Sequence, residues 1–247
     1  MKRFRRLLRV VAHLFSGLRT LRRAFPIADG VLRRKLQKQW SLELLRLLDV
    51  ELHIAGTPPP AAIYPLVIAN HVSWLDVFVI AAAYPSTFVS KSEIREWPLA
   101  GKLAIRTGTL FLERGRAAAA RKLNQHIASE LQSSPVTVFP EGTTSRQGTL
   151  LPFHAAMLQP AVDVGAPLLP LAVRYRNNNG EINRVVEFIG DMTFLQSLWR
   201  IAGETHIHAE LTFLTPIDAG GGERRELARK GESIIAAALD VPLPQRG

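Results

Sequence analysis

His71 and Asp76 stand five residues apart in Asn70-His71-Val72-Ser73-Trp74-Leu75-Asp76, directly after the apolar run Leu66–Ala69. An imidazole titrates near neutrality and is the side chain best suited to take a proton from a hydroxyl. A carboxylate within hydrogen-bond reach would fix its tautomer and stabilise the imidazolium formed during the transfer. On one continuous helix, residues five apart lie about 140° apart round the axis and share no face. The pair can meet only if His71 sits in the loop that ends a strand and Asp76 in the first turn of the helix that follows. A capping Asp beside a structural His has the same spacing, so further residues must decide.

A second polar cluster, Phe139-Pro140-Glu141-Gly142-Thr143-Thr144-Ser145, also follows an apolar run, Val136–Phe139. One carboxylate, one flexible Gly and three consecutive hydroxyls suit an acceptor rich in hydroxyl or phosphate oxygens; an ordinary turn with side-chain hydrogen bonds has the same composition. Two further runs end in cations: Phe88-Val89-Ser90 in Lys91, and Leu110-Phe111-Leu112 in Glu113-Arg114-Gly115. Cations at strand ends can receive an anionic headgroup, Arg bidentately.

The elements that must position these groups alternate along the chain. Strands are expected over 51–55, 66–69, 87–90, 110–113, 136–139, 168–174, 184–189 and 206–212, and helices over 74–83, 98–106, 117–132, 155–165, 194–201 and 223–239. Alternation of this kind predicts an α/β fold, a mixed and mostly parallel sheet flanked by helices. In such sheets functional groups gather where strands end and helices begin. Asn177-Asn178-Asn179-Gly180 is a hairpin-like turn and places antiparallel pairing in the later part. No internal repeat or long linker interrupts the pattern.

Charge is unevenly placed. Residues 1–46 hold 13 of the 31 Lys/Arg and 2 of the 21 acidic residues, while the rest is near neutral. Leu7, Val11, Leu14, Leu18 and Leu21 form one helical stripe, and Val31, Leu32, Leu36, Trp40, Leu44, Leu47 and Leu48 a second periodic stretch, for which Asp29 is the expected N-cap. Neither reaches the roughly 20 apolar residues of a spanning helix. Arg9 and His13 break up the apolar stretch a secretory signal would need. An apolar stripe, a basic face and an aromatic residue match a helix lying in the headgroup region; packing on the protein's own core is the other reading. Aromatics are sparse in the basic segment and no nucleic-acid motif is recognisable, so anionic lipid is the expected partner rather than nucleic acid. The expected division is an N-terminal amphipathic membrane-docking extension, 1–50, and a catalytic domain, 51–247, bound peripherally or monotopically at the cytoplasmic face of a membrane. Cys is absent, which removes thiolate nucleophiles and Cys-based zinc sites.

These residues carry a resemblance. The chain resembles the glycerolipid (lysophosphatidic acid) acyltransferase family, whose four ordered blocks fall at Asn70–Asp76, Gly108–Arg114, Phe139–Ser145 and Pro167–Val173, with Lys91 where the family has a Lys. The resemblance implies that His71, held by Asp76, deprotonates the acceptor hydroxyl, which attacks an acyl-CoA or acyl-carrier-protein thioester without a covalent acyl-enzyme. Lys91 and Arg114 would hold the anionic headgroup, with Glu141, Gly142 and Thr143 positioning the acceptor. No metal or organic cofactor is implied. The expected product is phosphatidic acid, made from 1-acyl-glycerol-3-phosphate. One departure bears on the acceptor: members specific for lysophosphatidic acid carry Arg where this chain has Thr144, which opens the alternative of another lysolipid, such as a lyso-ornithine lipid. A non-catalytic membrane-binding protein is the competing class, and the intact His71, Asp76, Arg114 and Glu141 argue against it.

The remaining histidines read as structural. His206 and His208 share a strand face, a spacing that can bind metal, but no third ligand stands near them in sequence. His154 is expected to pack near Glu141–Ser145, and His53 and His126 carry no signal.

Overall fold

The computed structural model describes residues 2–60, 63–97, 99–113 and 117–245. Helices α1 (Lys2–Arg23) and α2 (Gly30–Leu47) lead into strand β1 (Val50–Ala55). The alternating part follows as β2 (Leu66–Ala69), α3 (Leu75–Ala83), β3 (Thr87–Lys91), α4 (Ala100–Arg106), β4 (Leu110–Leu112), α5 (Ala117–Glu130) and β5 (Val136–Val138). Then come α6 (Gln159–Val164), β6 (Leu168–Arg176), α7 (Phe194–Gly203), β7 (Ile207–Phe213) and α8 (Arg224–Leu239).

The strands form one seven-stranded sheet in the order β1-β7-β6-β2-β5-β3-β4. From β6 to β4 every pairing is parallel. β7 runs antiparallel to β6, and β1 parallel to β7. The mixed, mostly parallel α/β sheet expected from the alternation is therefore present. β2 is buried at all four positions, as its unbroken Leu-Val-Ile-Ala run requires of a central strand covered on both faces. Val67 and Ala69 join the layer under α1, α2, α3 and α7, while Leu66 and Ile68 join the layer under α5, α6 and α8. The strand order sets the carboxyl ends of β2, β5, β3 and β4 side by side, so the segments that begin at Asn70, Phe139 and Lys91 are delivered to one end of the sheet.

Asp29 caps α2 as expected, its Oδ1 accepting from the Leu32 N–H at 2.7 Å. α1 lies against α2, α4 and α7, with Val10 buried and Leu7 and Leu14 packed on the core. A Cβ on Gly17 would stand 2.6 Å from the Trp40 indole nitrogen, so this Gly permits the close approach of α1 to α2. The stripe expected to face lipid is therefore divided: Leu7 and Leu14 turn inward, and a neighbouring stripe of Phe4, Leu8, Val11 and Phe15 is exposed. His13 and Trp40 also face each other, their rings stacked 4.5 Å apart.

Two further expectations need correction. Residues 155–165 form a 3-10 turn followed by the short α6 rather than one helix. Residues 184–189 are not a strand: Arg184–Val186 is a 3-10 turn opened by Asn183, whose side chain accepts from Val185 N–H. The apolar residues there serve packing, with Val186 fully buried, and the backbone pairs with a loop instead, Phe188 N–H donating to Val72 O at 3.0 Å. The turn at 177–180 closes only an isolated bridge, Arg176 to Ile182; the antiparallel pairing in this region is that of β6 with β7.

Candidate active site

β2 ends at Ala69 and α3 starts at Leu75, so His71 lies in the loop and Asp76 in the first helical turn. This is the one arrangement in which the two can meet. His71 Nδ1 lies 2.8 Å from Asp76 Oδ2. The same oxygen accepts from the backbone N–H of Val72 at 2.7 Å and of Ser73 at 2.9 Å. Asp76 Oδ1 accepts from the Tyr175 hydroxyl at 2.6 Å. The carboxylate is wholly buried, while the His71 side chain keeps 18% of its surface. A buried carboxylate with four donors is satisfied without solvent. Because Nδ1 must donate to Asp76, the lone pair of Nε2 is left on the side away from it.

His71 is held from three further directions. Its ring stacks on Phe139 at the end of β5, centroids 3.9 Å apart and 13° from parallel. Its N–H donates to Glu141 Oε1 at 2.6 Å, and its carbonyl accepts from Ser145 N–H at 2.7 Å. Asn70 makes a paired bond to the Val173 backbone, Oδ1 accepting at 2.8 Å and Nδ2 donating at 2.9 Å, which ties the residue before His71 to β6.

The two polar segments are thus one unit. Glu141, expected to touch the acceptor, is buried behind the loop; its second oxygen accepts from Leu151 N–H at 2.9 Å. It clamps backbone and stands away from the cavity described below. Burial pushes its carboxyl up to about 7, opposed by the two backbone N–H bonds and by Ser145. Gly142 has φ +70, and a Cβ there would meet the His154 ring at 2.9 Å, so His154 packs on this segment as expected. Thr144 Oγ1 donates to the Phe188 carbonyl.

A largely apolar cavity of about 480 Å³ opens on this unit. His71, Lys91, Gly142, Thr143 and Thr144 line one part of it; Leu14, Leu21, Phe25, Trp40 and Leu44 from the N-terminal helices line another, with Phe78 and Phe88 between. The structure therefore brings together His71, Asp76, Lys91, Gly142 and Thr143, with Glu141 directly behind. Arg114 lies outside the described residues. Sequence reasoning missed Tyr175 and the role of Asn70. Tyr175 lies 99 residues from Asp76 and nothing local marks it; burial holds its phenol well above the ordinary range, so it remains a donor.

A His–Asp pair beside a largely apolar cavity of this size can activate a hydroxyl next to an aliphatic chain. Fold and site together define an acyltransferase: residues 60–174 match the family model described as Acyltransferase, and the chain belongs to that family. A lyso-ornithine lipid O-acyltransferase from Pseudomonas aeruginosa is 38% identical over 89% of this chain and 84% of its own. A 1-acyl-sn-glycerol-3-phosphate acyltransferase from Neisseria meningitidis is 35% identical over 96% of this chain and 94% of its own. The crystal structure of PlsC, the 1-acyl-sn-glycerophosphate (LPA) acyltransferase of Thermotoga maritima, shares the fold with a TM-score of 0.69 at 22% identity, covering 97% of both chains.

Proposed function

We propose that this enzyme moves a fatty acyl group from an acyl-CoA or acyl-carrier-protein thioester to the free hydroxyl of 1-acyl-glycerol-3-phosphate, giving phosphatidic acid. The observation that carries this reading is the His71–Asp76 pair facing an apolar cavity of about 480 Å³. His71 Nε2 takes the proton of the acceptor hydroxyl, and the alkoxide oxygen attacks the thioester carbonyl. The tetrahedral intermediate collapses with loss of the thiolate, which receives the proton back from His71. Asp76 holds the imidazolium in between. In this reading the transfer requires neither metal nor organic cofactor. Lys91 and Arg114 receive the anionic headgroup, and Gly142 and Thr143 line its seat.

The acceptor has a second reading with specific support. Thr144 lines the cavity where an Arg would add a cation, and its hydroxyl is already engaged by Phe188 O. The lyso-ornithine relative is also 38% identical. A panel of lysophosphatidate, lyso-ornithine lipid and lysophosphatidylcholine with one acyl donor decides between them. Turnover on lysophosphatidate supports the first reading, and preference for lyso-ornithine lipid the second. His71→Ala should abolish either while circular dichroism is unchanged; full turnover in that variant overturns the mechanism.

The enzyme works at an anionic membrane surface, on the cytoplasmic face. No helix of the described residues is long and apolar enough to cross a bilayer. The exposed Phe4, Leu8, Val11 and Phe15, with Leu195 and Trp199 on the adjacent α7, form an apolar face among Lys2, Arg3, Arg5 and Arg9, the composition an interfacial helix needs.

A further inference from the structure

At the free edge of the sheet, far along the strand order from the cavity, three side chains converge. β1 and β7 pair in parallel with Glu51 opposite His208 and His53 opposite Glu210, so these four share one face. His53 Nε2 lies 3.1 Å from His208 Nδ1. The Glu51 carboxylate lies 3.7 Å from His53 Nε2 and 3.5 Å from His208 Nδ1. The three ligand atoms fall within 4.8 Å of one another. The spacing seen in the sequence, His206 with His208, is not the one the fold uses: His206 precedes β7 with φ 52 and donates its N–H to Asp49. The missing ligands come from β1, more than 150 residues earlier, through strand pairing alone.

We propose that Glu51, His53 and His208 form a zinc site. Two imidazole nitrogens and one carboxylate oxygen, with water in the remaining position, are an established ligand set for Zn²⁺. A second observation sets this cluster apart from a chance grouping. His208 Nε2 lies 3.0 Å from Asn178 Oδ1, in the turn after β6. An amide oxygen only accepts, so Nε2 carries the proton and Nδ1 presents its lone pair to His53 and Glu51. This is the outer support a metal-binding imidazole requires. Glu210, the remaining acid on the face, is held by Arg176 at 3.0 Å, which neutralises that cation next to the site. The ion joins the edge strand β1 to β7 and to the 177–180 turn. Since α2 leads directly into β1, it fastens the end of a helix that lines the cavity.

The test uses the full chain without a polyhistidine tag. Calorimetric titration with Zn²⁺ should give one ion per chain, and Zn²⁺ but not Mg²⁺ should raise Tm. Co²⁺ should give visible absorption of an N/O-ligated site. His53→Ala and His208→Ala should each abolish the saturable binding and the Tm shift, Asn178→Ala should weaken it about tenfold or more, and His206→Ala should leave it intact. His53 is exposed and distant from His71, so its variant stays folded even if that of His208 does not. Absence of saturable binding, or a stoichiometric ion that survives both substitutions, overturns the proposal.

Discussion

Asp76 accepts four hydrogen bonds from the protein, three on Oδ2 and one on Oδ1, and the Tyr175 hydroxyl is the one donor among the four that a single conservative change removes. Tyr175→Phe leaves Oδ1 buried without that partner, a loss of about 2 kcal/mol in stability. It also leaves more negative charge to hold the imidazolium. The acid limb of the kcat/KM profile should therefore move to higher pH, while KM for the acceptor stays unchanged because Tyr175 does not line the cavity. An unmoved limb would reduce Tyr175 to a packing residue.

Glu141 carries a prediction of its own. Its carboxyl is raised from 4.5 to about 7, chiefly by burial, so between those values the folded protein binds more protons than the unfolded chain. The group's contribution is present in full below pH 4.5 and is lost as pH rises through about 7. The difference in unfolding free energy between wild type and Glu141→Gln should change by on the order of 3 kcal/mol at most across that window. Urea titrations at pH 4.5 and pH 8 measure it; a pH-independent difference would mean the carboxyl is not raised.

At the scale of elements, the loop 139–145 works because Gly142 adopts a left-handed conformation against the His154 ring. Gly142→Ala should cost about 2 kcal/mol from backbone strain alone, and the contact at 2.9 Å adds to it. A thermal melt checks the cost, and activity should fall with it because Phe139, Glu141 and Ser145 of this loop hold His71.

Most elements were legible from the sequence because apolar runs such as 66–69 and 136–138 are bounded by polar loops, and Asp29 marks the start of α2. The region 184–189 was not, since its β-branched and aromatic residues pack against the core from a turn and its backbone partner, Val72, is over a hundred residues away. The loop-helix meeting of His71 and Asp76 could be argued from pitch alone. Glu141 could not: a carboxylate that binds backbone amides and one that binds substrate have the same letter in the sequence. Tyr175 and the Glu51–His53–His208 grouping depend on strand register, which no local pattern reveals.

For the whole molecule, the exposed face of α1 and α7 is the proposed contact with the membrane. Replacing Phe4, Leu8 and Phe15 together with Gln should abolish flotation with vesicles containing anionic lipid and leave Tm nearly unchanged, since all three are more than half exposed. Flotation of the parent should weaken with salt. Retained flotation of the triple variant would place the contact elsewhere.

The cavity wall contributed by Leu14, Leu21, Trp40 and Leu44 has a consequence for anyone who shortens the chain. Leu44, Leu45 and Leu48 are each at most 2% exposed, and losing three such side chains removes about 6 kcal/mol or more, comparable with the whole stability of many domains. A fragment beginning at Asp49 should therefore fail to give a cooperative melt, even with monomeric lysolipid supplied in detergent. In the proposed docking one side of α1 meets the membrane while its other side walls the cavity, so a water-soluble version of this catalyst has to be repainted on its outer surface, because it cannot be trimmed.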